Sequence, residues 1–415
     1  MRVLLTSDAY PPIIGGATRA AQQLGRQLAN RGHQVVVATA WQRHLPATEL
    51  DGDVVVHRLR GLVSRVPRIS SDPTRYTPPP FPDPELVWRL RRLLRRTRPE
   101  VVHAYGWLTY SVVPALAGLR VPMVLAAREY AYVCPVRTLV RQGAHRGEVC
   151  DGPALAKCTD CARSFYGTAK GAAAVAGVLG GRPFLRARAA ALHSTSRYTQ
   201  AVMHRHLMAA AGRPDVVIPD FREDDLTGPP DPAIMARLPE EPYLLFVGSF
   251  RRIKGDEVLL DAYRRLDAPP PLVMIGARSP EPLPDLPPGV TALLDVPHDT
   301  VMAAWDRAIL GVAPSVVPEA LGNVVHEAMS RGRAVIGTSP GGHADMVVDG
   351  ETGLLVPGGD VGALAAAMRR LIGDPALCAR MGQAAKERAA RFSAAAVVPR
   401  FESLYEDLVR RNSNG

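Results

Sequence analysis

The chain runs to 415 residues, which outgrows one compact core and predicts two domains of roughly 200 residues each. Hydrophobic residues make up 47% and charged residues 22%, an ordinary globular balance, and no window of ~18 apolar residues offers a membrane span. The net charge is +10, yet only Lys157, Lys170, Lys254 and Lys386 are lysines, so arginine supplies 46 of the 50 basic residues, a coding bias as much as an adaptation to anionic partners.

Arg2-Val3-Leu4-Leu5-Thr6 reads as a first buried strand. Its apolar run stops at Asp8, so no signal peptide is visible and a cytoplasmic location is expected. Gly15-Gly16 lies between this strand and a helix from Ala17 to Arg31, where glycines let backbone approach a ligand or simply make a turn. Gly32-His33-Gln34 closes that helix before the next strand, Val35 to Thr39. Leu86, Leu90, Leu93 and Leu94 form one apolar face of a later helix, which also carries Arg89, Arg91, Arg92, Arg95, Arg96 and Arg98. A solvated outer face is expected for these arginines, with loose peripheral adhesion to anionic lipid headgroups as the sharper alternative. Nucleic acid is not expected, since no aromatic interleaving or nucleic-acid module accompanies them. Strands recur at Val101 to Ala104 and Pro122 to Ala126, and this alternation argues for a parallel sheet covered on both faces.

Four of the five cysteines cluster: Cys134, Cys150, Cys158 and Cys161. A structural zinc wants four thiolate or imidazole ligands and the count fits, although the spacing is looser than two Cys-x2-Cys pairs. Disulfides are disfavoured in a reducing compartment. Phe165 to Gly181 is small, apolar and glycine-rich, too broken to span a bilayer, and either lines a hydrophobic groove or packs. Pro219 to Pro242, rich in proline and acid, reads as a linker. A second strand series follows at Tyr243 to Gly248, Leu272 to Gly276, Ala308 to Ala313 and Ala334 to Gly337. Cys378 stands alone and reads as packing. Ser393 is placed to cap a last helix packing through Phe401, Leu404, Tyr405 and Leu408, which Pro399 should kink or interrupt. The expected division is 1–218, 219–393 and 394–415, two α/β domains and a terminal helix, with the ligand site in a cleft beyond the strand ends.

The densest chemistry lies in Pro318-Glu319-Ala320-Leu321-Gly322-Asn323-Val324-Val325-His326-Glu327-Ala328-Met329. A strand-like run precedes it and helical spacing follows, ending at Gly332, so Glu319 falls at a helix mouth and Glu327 about two turns along. Unpaired N–H groups near Leu321, Gly322 and Asn323 favour an anion such as a diphosphate, while carboxylates suit sugar hydroxyls. The same spacing also fits a helix with one surface and one buried glutamate.

This segment resembles the E-x7-E signature of retaining nucleoside-diphosphate-sugar glycosyltransferases of family four. The resemblance runs from Asp8-Ala9-Tyr10-Pro11-Pro12-Ile13-Ile14-Gly15-Gly16, through Val247-Gly248-Ser249-Phe250-Arg251-Arg252-Ile253-Lys254-Gly255, to Asp349-Gly350-Glu351-Thr352-Gly353-Leu354-Leu355-Val356-Pro357. It implies a GT-B fold: two Rossmann-like, doubly wound domains facing a central cleft, the N-terminal one binding the acceptor, the C-terminal one the nucleotide sugar, and the last helix crossing back. It further implies that Gly15 and Gly16 close over donor diphosphate and acceptor, and that Arg252 with Lys254 clamps the diphosphate. By the same resemblance Glu319 touches hydroxyls of the transferred sugar and Glu327 the ribose. The donor phosphate takes the acceptor proton on the face it leaves, and no cofactor is required for catalysis. Ser249 stands where many relatives have arginine. Arg128 stands where many have a histidine near the reacting carbon; it serves an acidic sugar, an acidic acceptor or the phosphate, or it turns away to pair with Glu129. His103 is a second acceptor-side candidate, or a packed histidine. Cys134-Pro135, Cys150-Asp151-Gly152-Pro153 and Cys158 to Cys161 match a cysteine-containing subset and imply that the insertion 134–161 is a stapled loop at the acceptor entrance. The expected partners are thus a nucleoside-diphosphate sugar and a glycan, lipid-linked or small-molecule acceptor. The competing readings are a GT-B epimerase or phosphorylase, or a zinc-stapled basic binding protein.

Overall fold

A computed structural model describes residues 1–13, 16–65, 76–143, 147–208, 212–222, 228–277 and 283–413. The chain forms two compact units, residues 1–221 with 394–415, and residues 222–393. The sequence-based division set the first break three residues earlier, at 218/219.

The first unit holds strands β1 (Arg2–Ser7), β2 (Gln34–Ala40), β3 (Thr48–Asp51), β4 (Val54–Leu59), β5 (Val101–Tyr105), β6 (Met123–Ala127), β7 (Ala191–Ser194) and β8 (Asp215–Val217). They form one sheet in the order β3-β4-β2-β1-β5-β6-β7-β8, parallel throughout except between β3 and β4. Strands β5 and β6 are buried along their whole length, because apolar cores cover both faces. Residue choice explains the helix Pro84–Thr97. The Asp83 carboxylate accepts from the Glu85 and Leu86 amides, Pro84 opens the first turn, and the four leucines are buried. Trp88, Arg92, Arg95 and Arg96 face outward, so the arginine face is solvated.

The glycine-rich stretch 165–181 packs. Helices Leu155–Tyr166 and Thr168–Arg188 meet at Gly167, and the second buries Ala174, Val175, Val178 and Leu185. The C-terminal helix Ala394–Ser413 lays Val397, Val398, Phe401, Leu404, Tyr405 and Leu408 into the core against β1, β5 and the helix Gly16–Asn30. It runs through Pro399 without interruption. A proline inside a helix forfeits one hydrogen bond, a loss that this row of buried side chains outweighs. Ser393 Oγ donates to the Ala390 carbonyl.

The second unit holds β9 (Tyr243–Val247), β10 (Leu272–Gly276), β11 (Val290–Leu294), β12 (Ala308–Val312), β13 (Ala334–Ser339) and β14 (Gly353–Pro357). Its sheet is wholly parallel, in the order β11-β10-β9-β12-β13-β14. In both sheets the chain winds outward from an inner pair, β1/β5 and β9/β12, and such switch points are where doubly wound sheets take ligands, beyond the strand carboxyl ends.

Candidate active site

In the second unit, three turns meet beyond the carboxyl ends of β9, β12 and β13. The first is the single 3-10 turn Arg252–Lys254, followed by Gly255 at φ 77°. A β-carbon on Gly255 would lie 2.0 Å from the Pro314 carbonyl oxygen, so only glycine lets this turn rest on the segment leaving β12. The Val316 amide donates to the Ile253 carbonyl at 3.1 Å and fixes the two segments in register. Lys254 Nζ consequently reaches Glu319 Oε1 at 2.6 Å, and Ser315 Oγ donates to the same oxygen at 2.6 Å. Burial alone would raise the Glu319 pKa. The Lys254 and His343 neighbours and the two hydrogen bonds overcome it and hold the carboxyl at about 2, so Glu319 is ionised at any working pH.

The helix Asn323–Ser330 begins beside this carboxylate. Gly322 precedes it at φ 91° and offers no side-chain cap; the Val325 amide donates to the Gly322 carbonyl at 3.0 Å, and the turn before it has no side-chain acceptor. Leu321 is buried in the core and contributes backbone to this mouth. Glu327 is the fifth helical residue, one turn inside rather than two, and is nearly buried with Arg222 Nη2 3.7 Å from its Oε1. The third turn follows β13, where the Gly342 amide donates to the Glu319 carbonyl at 2.7 Å. It carries His343, whose ring lies beneath Gly322.

Arg252 departs from expectation. It is exposed and pairs with Glu257 at 3.1 Å, leaving Lys254 to meet Glu319. A 3-10 turn advances about 120° per residue, so positions two apart cannot face the same way.

In the first unit, Asp8, Gly106 to Leu108, and Arg128 with Glu129 leave the carboxyl ends of β1, β5 and β6. Arg137, reached through the turn after Cys134, inserts among them at φ 68°. Its guanidinium donates to Asp8 Oδ2 at 2.9 Å and, through Nε, to Glu129 Oε1 at 2.8 Å, and it sits 5.0 Å from the Trp107 ring centre. Asp8 also accepts from the Leu108 amide at 2.8 Å. Arg128 is buried, pairs with Asp220 and lies over the Tyr105 ring at 5.3 Å; its carboxylate partner is Asp220, not Glu129. Gly16 opens the helix Gly16–Asn30, while Gly15 lies outside the described residues.

Two family descriptions match separate parts of the chain: "Glycosyltransferase Family 4" matches residues 14–143 and "Glycosyl transferases group 1" matches residues 241–374. The chain belongs to glycosyltransferase family four. Among curated relatives, a glycogen synthase of Mycobacterium tuberculosis is 27% identical over 94% of this chain and 90% of its own length. An exopolysaccharide phosphotransferase of Streptomyces coelicolor is 40% identical over 119 residues, 28% of this chain and only 13% of that protein. Among solved structures, a sucrose-phosphate synthase from Thermosynechococcus elongatus superposes with a TM-score of 0.75 at 22% identity, covering 99% of both chains. Anabaena HepE, solved in complex with UDP and glucose, gives 0.68 at 15%, covering 98% and 100%. These likenesses are to GT-B glycosyltransferases, and the fold of this glycosyltransferase is GT-B.

One expectation is corrected in the first unit. His103 is fully buried and lines no acceptor surface; its Nδ1 meets the Tyr405 hydroxyl at 2.5 Å and its Nε2 meets His193 at 3.1 Å. Cys134, Cys150, Cys158 and Cys161 border one small cavity of about 20 Å³, but all are free thiols. Among the described residues no group of three or more Cys, His, Asp or Glu is arranged to hold a metal ion. Two of these sulfurs are engaged by backbone instead: Cys150 Sγ donates to the Gly152 carbonyl and Cys161 Sγ accepts from the Gln142 amide, both at 3.3 Å. Burial pushes the Cys134 thiol up to about 11. Among the described residues no helix is long and apolar enough to cross a membrane.

Sequence reasoning missed Ser315, Arg137 and His343. Only the glycines flanking two of these turns, Gly255 and Gly341-Gly342, hinted that backbone closes tightly there.

Proposed function

We propose that this glycosyltransferase moves a sugar from a nucleoside-diphosphate donor to a hydroxyl-bearing acceptor with retention of configuration. The acceptor belongs to the glycans, lipid-linked sugars or small polyols. The observation that carries the reading is the convergence of Lys254 and Ser315 on Glu319 beside an uncapped helix mouth. Both hydrogen bonds go to Oε1, which leaves Oε2 to accept from hydroxyls of the transferred sugar. A carboxyl held at about 2 carries no proton to give, so Glu319 orients and does not act as a general acid.

The first-turn amides of the helix Asn323–Ser330 and the Lys254 ammonium supply fixed positive charge for a diphosphate, and this is where charge grows as the bond to the sugar breaks. Glu327 receives the ribose hydroxyls. As the bond from the anomeric carbon to the phosphoryl oxygen breaks, its electron pair stays on the diphosphate. The acceptor oxygen bonds the same carbon from the same face, and its proton passes to the departing phosphoryl oxygen. The protein contributes position and field, not a covalent intermediate. Anabaena HepE, described with UDP and glucose bound, supports a uridine nucleotide as the first donor series to try.

The test is thermal stabilisation by UDP, ADP and GDP, each with and without EDTA, beside Glu327→Ala. One diphosphate should raise Tm by several degrees, equally with EDTA, and less in the variant. Turnover of the matching α-linked sugar nucleotide should then give an α-linked product by NMR. A β-linked product, or no nucleotide response at saturation, would overturn the reading.

A further inference from the structure

We infer that His343 is an additional donor-site residue whose Nε2–H donates to a phosphoryl oxygen of the nucleoside diphosphate held at the mouth of the helix Asn323–Ser330. The inference rests on the donor reading above and adds to it a contact from the third turn, the one after β13.

Position comes first. His343 follows Gly341-Gly342 beyond the carboxyl end of β13, and β13 pairs with β12, whose exit segment carries Ser315 and Glu319. The imidazole is 1% exposed. A β-carbon on Gly322 would stand 2.4 Å from His343 Nε2, so the ring edge occupies the space that any side chain there would need. Gly322 is thus required twice, for its positive φ and for the ring below it.

The proton can be assigned from the partners. Nδ1 accepts the Thr338 amide at 3.1 Å, and an amide is always a donor, so Nδ1 is bare and the neutral ring carries its proton on Nε2. Among the described residues Nε2 has no hydrogen-bond partner, since both bonds found for this ring go to Nδ1. The histidines of the N-terminal unit set the contrast. His103 and His193 are packed residues with both ring nitrogens engaged, the first by Tyr405 and His193, the second by His103 and the Ile218 carbonyl. His343 keeps one nitrogen in reserve, and that nitrogen lies at the residue that opens the helix.

The charge state fits a donor. Burial pushes the His343 pKa down to about 4; Glu319 opposes this and Lys254 adds to it. The ring is therefore neutral near pH 7 and gives a hydrogen bond without adding a second cation beside Lys254. The ligand chemistry follows from the neighbours. The uncapped first turn of the helix and the His343 Nε2–H beside Gly322 offer only donors here, and they call for an anionic acceptor.

The experiment uses the full chain with UDP, ADP and GDP, and with the matching nucleosides, measured by calorimetry for the wild type, His343→Leu and His343→Gln. His343→Leu should weaken the preferred diphosphate about tenfold and leave the nucleoside within about twofold, which is the size of one hydrogen bond to a charged group. His343→Gln, which restores an N–H donor, should recover most of the loss. Should the leucine variant fold poorly, the wild type alone decides: the His343 Nε2 resonance in 15N NMR should shift on adding the diphosphate and stay with the nucleoside. Equal diphosphate affinity in His343→Leu, an equal loss for nucleoside and diphosphate, or an unmoved Nε2 resonance would overturn the inference. A wild type that binds no diphosphate would instead bring down the donor reading, a result these arms separate.

Discussion

Glu319 is a half-buried carboxylate held ionised chiefly by Lys254, with His343 and Ser315 adding to it, and the Lys254 share can be measured. Its folded pKa of about 2 lies below the ordinary 4.5, so the stabilisation it contributes is complete above about 4.5 and is lost as pH falls from there toward 2. The size is on the order of 3 kcal/mol, since each unit is worth about 1.4 kcal/mol. Acid unfolding of Lys254→Met should therefore begin at higher pH than in the wild type, with a shallower slope between pH 5 and 2. The same variant should lose about 10²–10³ in kcat, read from initial rates once the donor is known, because it removes charge from the leaving group. Glu319 and Lys254 were both legible from their motifs. Arg252 was not, because the handedness of a three-residue turn decides which of two neighbouring cations faces inward. Arg128 was not, because its partner Asp220 lies 92 positions away and no local pattern announces it. The four cysteines were read as candidate zinc ligands from their count; the structure gathers them around one small cavity, Cys134 and Cys158 buried and Cys150 and Cys161 half-buried. Count and spacing carry no information about where a sulfur points.

At the scale of elements, the turns matter more than the strands. Gly255→Ala should destabilise the C-terminal unit by roughly 1–3 kcal/mol, since it combines a positive φ with a 2.0 Å approach to the Pro314 oxygen. A crystal structure of the variant should show Lys254 drawn away from Glu319. The C-terminal helix offers a second test. Tyr405→Phe leaves His103 Nδ1 without the Tyr405 hydroxyl; Tyr105 Oη stands 3.1 Å from the same nitrogen. The expected cost is about 1 kcal/mol by urea denaturation, and a cost above 3 kcal/mol would mean Tyr105 cannot take over. The parallel α/β layout and strands β1, β2, β5, β6, β9, β10, β12 and β13 were readable because the runs of Val, Leu and Ile recur with the parallel-sheet rhythm. Pro399 does not interrupt its helix, because six buried apolar side chains hold that helix down.

For the whole molecule, two sheets with separate cores predict a divided response to ligand. A stabilising nucleoside diphosphate should slow hydrogen exchange at 252–256, 315–327 and 338–343, and leave the strands of residues 1–60 unchanged. Slowed exchange confined to the first unit would place the nucleotide elsewhere. The two-domain plan was legible from length alone, and its first boundary to within three residues.

The division also sets an order of events during synthesis. Residues 222–393 are contiguous, so that unit has its whole sequence as soon as residue 393 leaves the ribosome. The first unit is started at Met1 but lacks its last core helix until Ser413 emerges. Until then the faces of β1, β5 and the helix Gly16–Asn30 that Phe401, Leu404 and Tyr405 cover stay open. The domain that is translated first is therefore completed last, and for the time it takes to make nearly half the chain it presents bare apolar surface to chaperones.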